Sequence, residues 1–240
     1  MVLTGRFARL LLAVIVLASS VLAIGQKAGS AAQLVEQFQT HRVFWQQFEV
    51  AKKLVSLHDA TVLERLKSYL NDDDRHVRGN AAFVFTALGD DRGFEVIGSI
   101  LKDRSDRPEG QGMPGGKWSV TAQISSDRYY AAHLFGDLKD ARAVPILIPL
   151  LKDQEVNWIV PWSLGEIGDK SAIPALIDTL SDKSPDMRVL AIYALEALAA
   201  RQALPELRRL TDDDEKIHFD GLGTVAEAAR AAISALRGMP

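Results

Sequence analysis

Phosphate chemistry is suggested by one stretch alone, RPEGQGMPGGKWSV at residues 107–120, where four glycines and two prolines crowd around Lys117 and Trp118. A phosphate-cradling loop needs a glycine, four residues, then Gly-Lys and a hydroxyl side chain, all following a strand. With Gly116 and Lys117 as the pair, Gln111 stands where the first glycine belongs and Trp118 where the hydroxyl belongs. The motif fails twice, and no strand pattern precedes it. Two readings remain: a connection at the edge of a larger array, or a loop that contacts a partner through Lys117 and Trp118.

Metal and nucleophile chemistry fare no better. His41, His58, His76, His133 and His218 never fall into an H-x3-H or HExxH spacing, so zinc ligation has no recognisable frame. The chain contains no cysteine, which removes thiol catalysis and disulfide stapling together. Serines, histidines and aspartates are present, but no spacing ties a triad together. The expectation is no catalytic, cofactor-binding or metal site.

The elements that would have to position any functional group read as helices. The 240 residues are 48% hydrophobic but only 7% aromatic, with abundant Ala and Leu, a composition that leans towards helix and suffices for a sizeable core. Formal net charge is −3, without a long basic run, so nucleic acid is not an expected partner. The start, MVLTGRFARLLLAVIVLASSVLAIGQ, places Arg6 and Arg9 before an apolar run from Leu10 to Ile24. That is the pattern of a secretory signal peptide over residues 1–23, with small residues at the cut. An uncleaved anchor is the alternative, although fifteen residues fall short of the roughly 20 that span a bilayer. The expectation is an exported protein, periplasmic or secreted, with no membrane span after cleavage.

A repeat organises the rest. HVRGNAAFVFTALGDDRGFEVIGSILKD (76–103), SDRYYAAHLFGDLKDARAVPILIPLLKD (126–153), EVNWIVPWSLGEIGDKSAIPALIDTLSD (155–182) and DMRVLAIYALEALAARQALPELRRLTDD (186–213) share one frame. Each is an Ala-rich amphipathic helix, a turn usually bearing Asp, and a second amphipathic helix. The turn positions Asp59, Asp90, Asp140, Asp169 and Ala200 are spaced 31, 50, 29 and 31 residues apart. The long step carries an insertion at about 104–124. Twelve residues before each turn stands Gln47, Arg78, Arg128, Asn157 or Arg188. Helical hairpins this short cannot bury their apolar faces alone, so they must stack into a solenoid. Acidic turns such as NDDD (71–74) and SDKSPD (181–186) read as helix caps, and Pro145 and Pro174 fit a first helical turn.

On VRGNAAFVFTALGDD, DARAVPILIPLL and GEIGDKSAIPALIDTL, the chain resembles the HEAT-like repeats of the PBS (bilin) lyase type. The resemblance covers nearly the whole chain beyond residue 23. It implies an all-α right-handed solenoid of about six hairpins: residues 24–42 a leading segment with a first helix, and 43–238 the array. Relatives of this type include scaffolds, bilin-lyase subunits and enzymes that hydroxylate a modified lysine with two irons. The last carry repeated His-Glu pairs, and here no histidine is followed by Glu.

Counting from the Arg-equivalent position as zero, positions 3, 4, 7 and 10 of the first helix are apolar and expected inside. Positions 1, 2, 5 and 9 are expected on the open face. They present Phe83, Tyr129, Tyr130, His133, Asp137, Trp158, Trp162, Glu166 and Tyr193. Tyr129 with His133 and Trp158 with Trp162 lie four apart, one turn along a helix, and are expected to pair. Pro161 is expected to kink its helix. The functional expectation is a non-catalytic scaffold that holds a protein or peptide of the cell envelope in an aromatic groove centred on the Trp158–Trp162 unit. The alternatives are an enzyme or enzyme accessory like the bilin-lyase and oxidoreductase relatives, and a carbohydrate-binding envelope protein.

Overall fold

The structure, a computed structural model, describes residues 30–41, 43–105, 120–218 and 223–238. The signal segment expected at 1–23, and Lys117 and Trp118 of the insertion, lie outside the described residues.

The chain is an all-α solenoid. Helix α1 covers residues 30–40 and α2 runs Phe44–Ser56. Helix α3, Val62–Leu66, continues into a 3-10 turn at Lys67–Asn71. There follow α4 (Arg75–Ala87), α5 (Asp91–Lys102), α6 (Val120–Leu138), α7 (Val144–Leu147), α8 (Val160–Ile167), α9 (Ile173–Thr179), α10 (Pro185–Ala197), α11 (Leu204–Arg209) and α12 (Val225–Gly238). The even-numbered helices α2 to α12 form one continuous layer in which each packs on the next. The odd-numbered α3 to α11 form a second layer, packed on the even helices. Among the described residues this makes five helical pairs flanked by α1 and α12, with a single isolated bridge, Lys216 to Thr224, and no named strand.

The core lies between the layers. Leu66, Phe85, Ile97, Leu134, Phe135, Leu147, Leu164, Ile173 and Leu176 are fully buried in it; each such side chain contributes about 1.5–3 kcal/mol. Within the even layer the contacts are made by small residues, Ala81, Ala82, Ala131, Ala132, Ala191, Ala194, Ala228 and Ala232, all buried. Small side chains let neighbouring helices approach closely, as the frame expects.

The turns are built from local chemistry. The carboxylates of Asp90, Asp140 and Asp169 accept the backbone N–H two residues on, so these three turn aspartates are N-caps. The residue before each turn position, His58, Gly89, Lys139, Gly168 or Ala199, has positive φ. Each reversal between paired helices therefore passes through one left-handed residue.

Two local expectations are corrected. Helix α6 begins at Val120, so residues 120–124, assigned to the insertion, belong to a helix. Residues 154–159 form turns, and α8 starts only at Val160. Pro161 then falls in the first turn, where its missing N–H costs nothing, and it does not kink a longer helix.

Candidate functional site

A cavity of about 570 Å3 opens on the even layer between α2, α6 and α8. Its floor is fixed by a chain of buried hydrogen bonds. Gln47 on α2 donates from Nε2 to the carbonyl of Phe38 on α1 (2.9 Å) and accepts at Oε1 from Asn80 Nδ2 (2.8 Å). Asn80 on α4 also donates to the carbonyl of Phe44 (2.9 Å) and accepts from the Tyr130 hydroxyl on α6. Four helices are joined through these three side chains. Buried polar groups that all find partners specify geometry as well as stability. Burial pushes the Tyr130 phenol well above its ordinary pKa, so it remains a donor.

Around this floor stand rings. Phe44 stacks on buried His76 with ring centroids 4.4 Å apart and meets Tyr130 edge-on at 5.0 Å. Phe48 lies edge-on to Phe83 at 4.9 Å. His133 stacks on Trp162 of the next repeat, 4.4 Å between centroids and 27° between planes. Trp162 reaches that position because residue 136 is glycine: a Cβ there would stand 2.7 Å from the indole Cζ3. At the rim Trp45 and Tyr129 are 48% and 43% exposed, and burial of its ring raises the Tyr129 pKa. Glu49 and Asp137 add carboxylates to the wall; Glu49 pairs with Lys52 and Asp137 with His133 Nδ1 at 2.9 Å.

The structure regroups the sequence-predicted residues. Tyr129, His133, Asp137 and Trp162 line the cavity, with Tyr130 built into its floor. Glu166 and Tyr193 line a smaller hollow of about 100 Å3 on the other side of Trp162, between α8 and α10; Glu166 also pairs with Lys139 at 3.2 Å. Phe83 and Tyr130 were expected on the open face and are buried, because helices inside a continuous layer have neighbours on both flanks and keep only a narrow strip open. The expected Trp158–Trp162 pair is not formed. With α8 starting late, Trp158 sits in a turn and lines a separate cavity with Leu151 and Met187, while Trp162 turns to His133. The centre of the aromatic surface consequently moves from the Trp158–Trp162 unit towards α2 and α6.

Trp45, Phe44 and Glu49 were missed. The signal was available: Trp45 is seven residues, two helical turns, before Lys52 at position 5 of the same frame, so extending the register backwards puts it on the same face.

Among the described residues no three His, Asp or Glu side chains lie close enough together to hold a metal ion, and no helix is long and apolar enough to cross a membrane.

Residues 127–153 match the family described as PBS lyase HEAT-like repeat, and residues 153–217 match the family described as HEAT repeats. No curated protein gives a significant match. Among solved structures the chain is similar to a designed armadillo repeat protein, at 18% identity and TM-score 0.39, over 85% of this chain and 98% of that one. An engineered protein matches at 17% identity and TM-score 0.38, over 87% and 96% of the two chains.

Proposed function

We propose that this HEAT-like repeat protein is a non-catalytic scaffold that holds an extended segment of a partner protein in the cleft between α2, α6 and α8. The observation that supports the reading is the concentration of rings at one opening: Trp45 and Tyr129 exposed at the rim, Trp162 and His133 stacked in the wall. Large rings held in place by packing are the residues that dominate binding energy at protein interfaces. Glu49 and Asp137 beside them suit a segment carrying basic and aromatic side chains together. The floor is pre-organised by the Gln47–Asn80–Tyr130 bonds, which reduces the ordering cost of binding. With the apolar, arginine-led start of the sequence, the setting we propose is the cell envelope, after removal of residues 1–23.

Peptide display against the chain tests this. Enriched peptides should carry aromatic and basic residues and should bind a Trp45→Ala/Tyr129→Ala variant at least about 30-fold more weakly, the factor that corresponds to about 2 kcal/mol. The helical circular dichroism of that variant should match the parent. Absence of enrichment, or equal binding by the folded variant, would reject the cleft as the binding surface.

A further inference from the structure

Each connection from one repeat to the next contains the same small device. Asp72, Asp103, Asp153, Asp182 and Asp213 all accept, at Oδ1, the backbone N–H of the residue two further on, at 2.8–3.2 Å. These are Asx turns that lead into the next even helix. What differs is whether a cation meets the aspartate, and from where.

Arg128 donates from Nη2 to Asp153 at 2.6 Å and from Nη1 to Glu155 at 2.7 Å. Arg188 pairs with Asp213 at 3.0 Å and Glu215 at 3.2 Å. In both cases the arginine precedes the aspartate by 25 residues. At Asp103 the guanidinium comes from Arg75 instead, at 2.8 Å. The residue 25 before Asp182 is Asn157, whose side chain is too short to do the same. Among the described residues Asp182 forms no ion pair.

Gln47 holds the same frame position ahead of Asp72, but its amide is consumed by Phe38 and Asn80. Asn157 is different. It is only 8% exposed, and its Oδ1 has no hydrogen-bond partner among the described residues. A cavity of about 470 Å3 is lined by Asn157 and Asp182, the two frame positions that an arginine and its aspartate hold in the neighbouring repeats, and by the indole of Trp158. Lys152 and Lys183 also line it and are both exposed.

We propose that this cavity is a socket for a guanidinium group, the arginine side chain of a partner protein. A guanidinium presents several N–H donors in a rigid plane. It would donate to the orphan Asn157 Oδ1 and to the Asp182 carboxylate, as Arg128 and Arg188 do from within the chain one repeat before and one repeat after. Charge-assisted bonds of this kind are about twice as strong as neutral ones, and the Trp158 indole lines the same cavity. The two lysines favour an arginine whose neighbour in the ligand is acidic. The socket shares no lining residue with the cleft between α2 and α6, so it stands or falls independently of the function proposed for that cleft.

Titration of the isotope-labelled chain with N-acetyl-arginine amide, followed by NMR at the Trp158 indole N–H and the Asn157 side-chain amide, tests the socket. Both signals should shift saturably. N-acetyl-citrulline amide, which has the same shape without the charge, should bind at least about 10-fold more weakly, as should arginine amide to an Asp182→Asn variant. Asn157→Arg should abolish the shifts by filling the socket from inside. Should that variant not fold, the citrulline and Asp182→Asn arms decide alone. No shift with arginine amide, equal shifts with citrulline, or the same shifts produced by inorganic phosphate in place of arginine would overturn the proposal.

Discussion

From α1 to α6 a chain of buried hydrogen-bonded side chains is added to the alanine contacts of the even layer, whereas from α8 to α12 small residues make the contacts. In the first region Gln47, Asn80 and Tyr130 tie four helices together beneath the cleft. In the second, Gly165 faces Ala194, and Ala191, Ala228, Ala229 and Ala232 are buried in the same layer; the charged contacts, such as Arg188 with Asp213, lie at the loops. Small-residue packing stacks helices wherever the frame repeats. A polar chain tolerates only one arrangement, since any group left without a partner pays its full desolvation cost. The difference teaches where the fold is generic and where it has been given a particular shape, and the particular shape is the one under the aromatic cleft.

The largest expected contrast comes from deleting one polar group on each side of this divide. Asn80→Leu leaves Gln47 Oε1 and the Tyr130 hydroxyl buried without partners, which should cost about 3 kcal/mol or more. Ser163, fully buried at the start of the second region, donates to the Ala132 carbonyl at 2.9 Å. Ser163→Ala removes that one donor and should cost about 1 kcal/mol. Urea unfolding of the two variants measures both. Equal costs would mean that the floor of the cleft is held by apolar packing, and the contrast between the regions would disappear.

The seam between the regions gives a second, smaller effect, visible in its dependence on pH. The Arg128 guanidinium, bonded to the Asp153 carboxylate, holds that carboxyl below the ordinary range. A depressed carboxylate contributes its stability in full above the unfolded pKa of about 3.9 and loses it as pH falls through the lower folded value. Asp153→Asn should therefore cost about 2 kcal/mol at pH 7, the scale of a hydrogen bond to a charged group. The difference from the parent should shrink as pH falls from about 4 towards 2. Thermal unfolding at pH 7 and pH 2.5 is the comparison. A difference that stays constant would place the effect of Asp153 in its Asx turn and not in its charge.

Much of the repeating part was legible in the sequence because its causes are local. The turn aspartates Asp90, Asp140 and Asp169 cap helices through their own backbone neighbours, and the residues at positions 3 and 4 are buried in every unit because the frame alone sets which side of a helix faces its neighbour. What was not legible depends on residues far apart. Phe83 was placed outside by helical angle, but α2 lies against α4 and Phe48 covers it. The Trp158–Trp162 pair assumed a helix from residue 155; the turn at 154–159 broke that assumption and sent Trp162 to His133, a residue 29 positions away. Asn80 carried a weak signal, a lone amide among apolar residues, whose partners on two other helices no local pattern could name.

The smallest effect tests whether the second region is as generic as its packing implies. Every pair reverses through one left-handed residue, and at Gly89 and Gly168 that conformation is free of the Cβ clash that penalises other residues. At Ala199 it is not: φ is 51°, and a Cβ in the left-handed region costs on the order of 1–2 kcal/mol. Glycine there also enlarges the unfolded ensemble, which takes back about 0.4–1 kcal/mol, so Ala199→Gly should stabilise the chain by roughly 0.5 kcal/mol. Gly168→Ala should destabilise by about as much, since a Cβ there meets no atom within 4 Å and the cost is backbone alone. Equal and opposite shifts in the urea midpoint would show two repeats obeying one rule. A loss on Ala199→Gly would mean that the Ala199 methyl contributes contacts worth more than the strain, and that even the alanine-packed half of the array is fitted residue by residue.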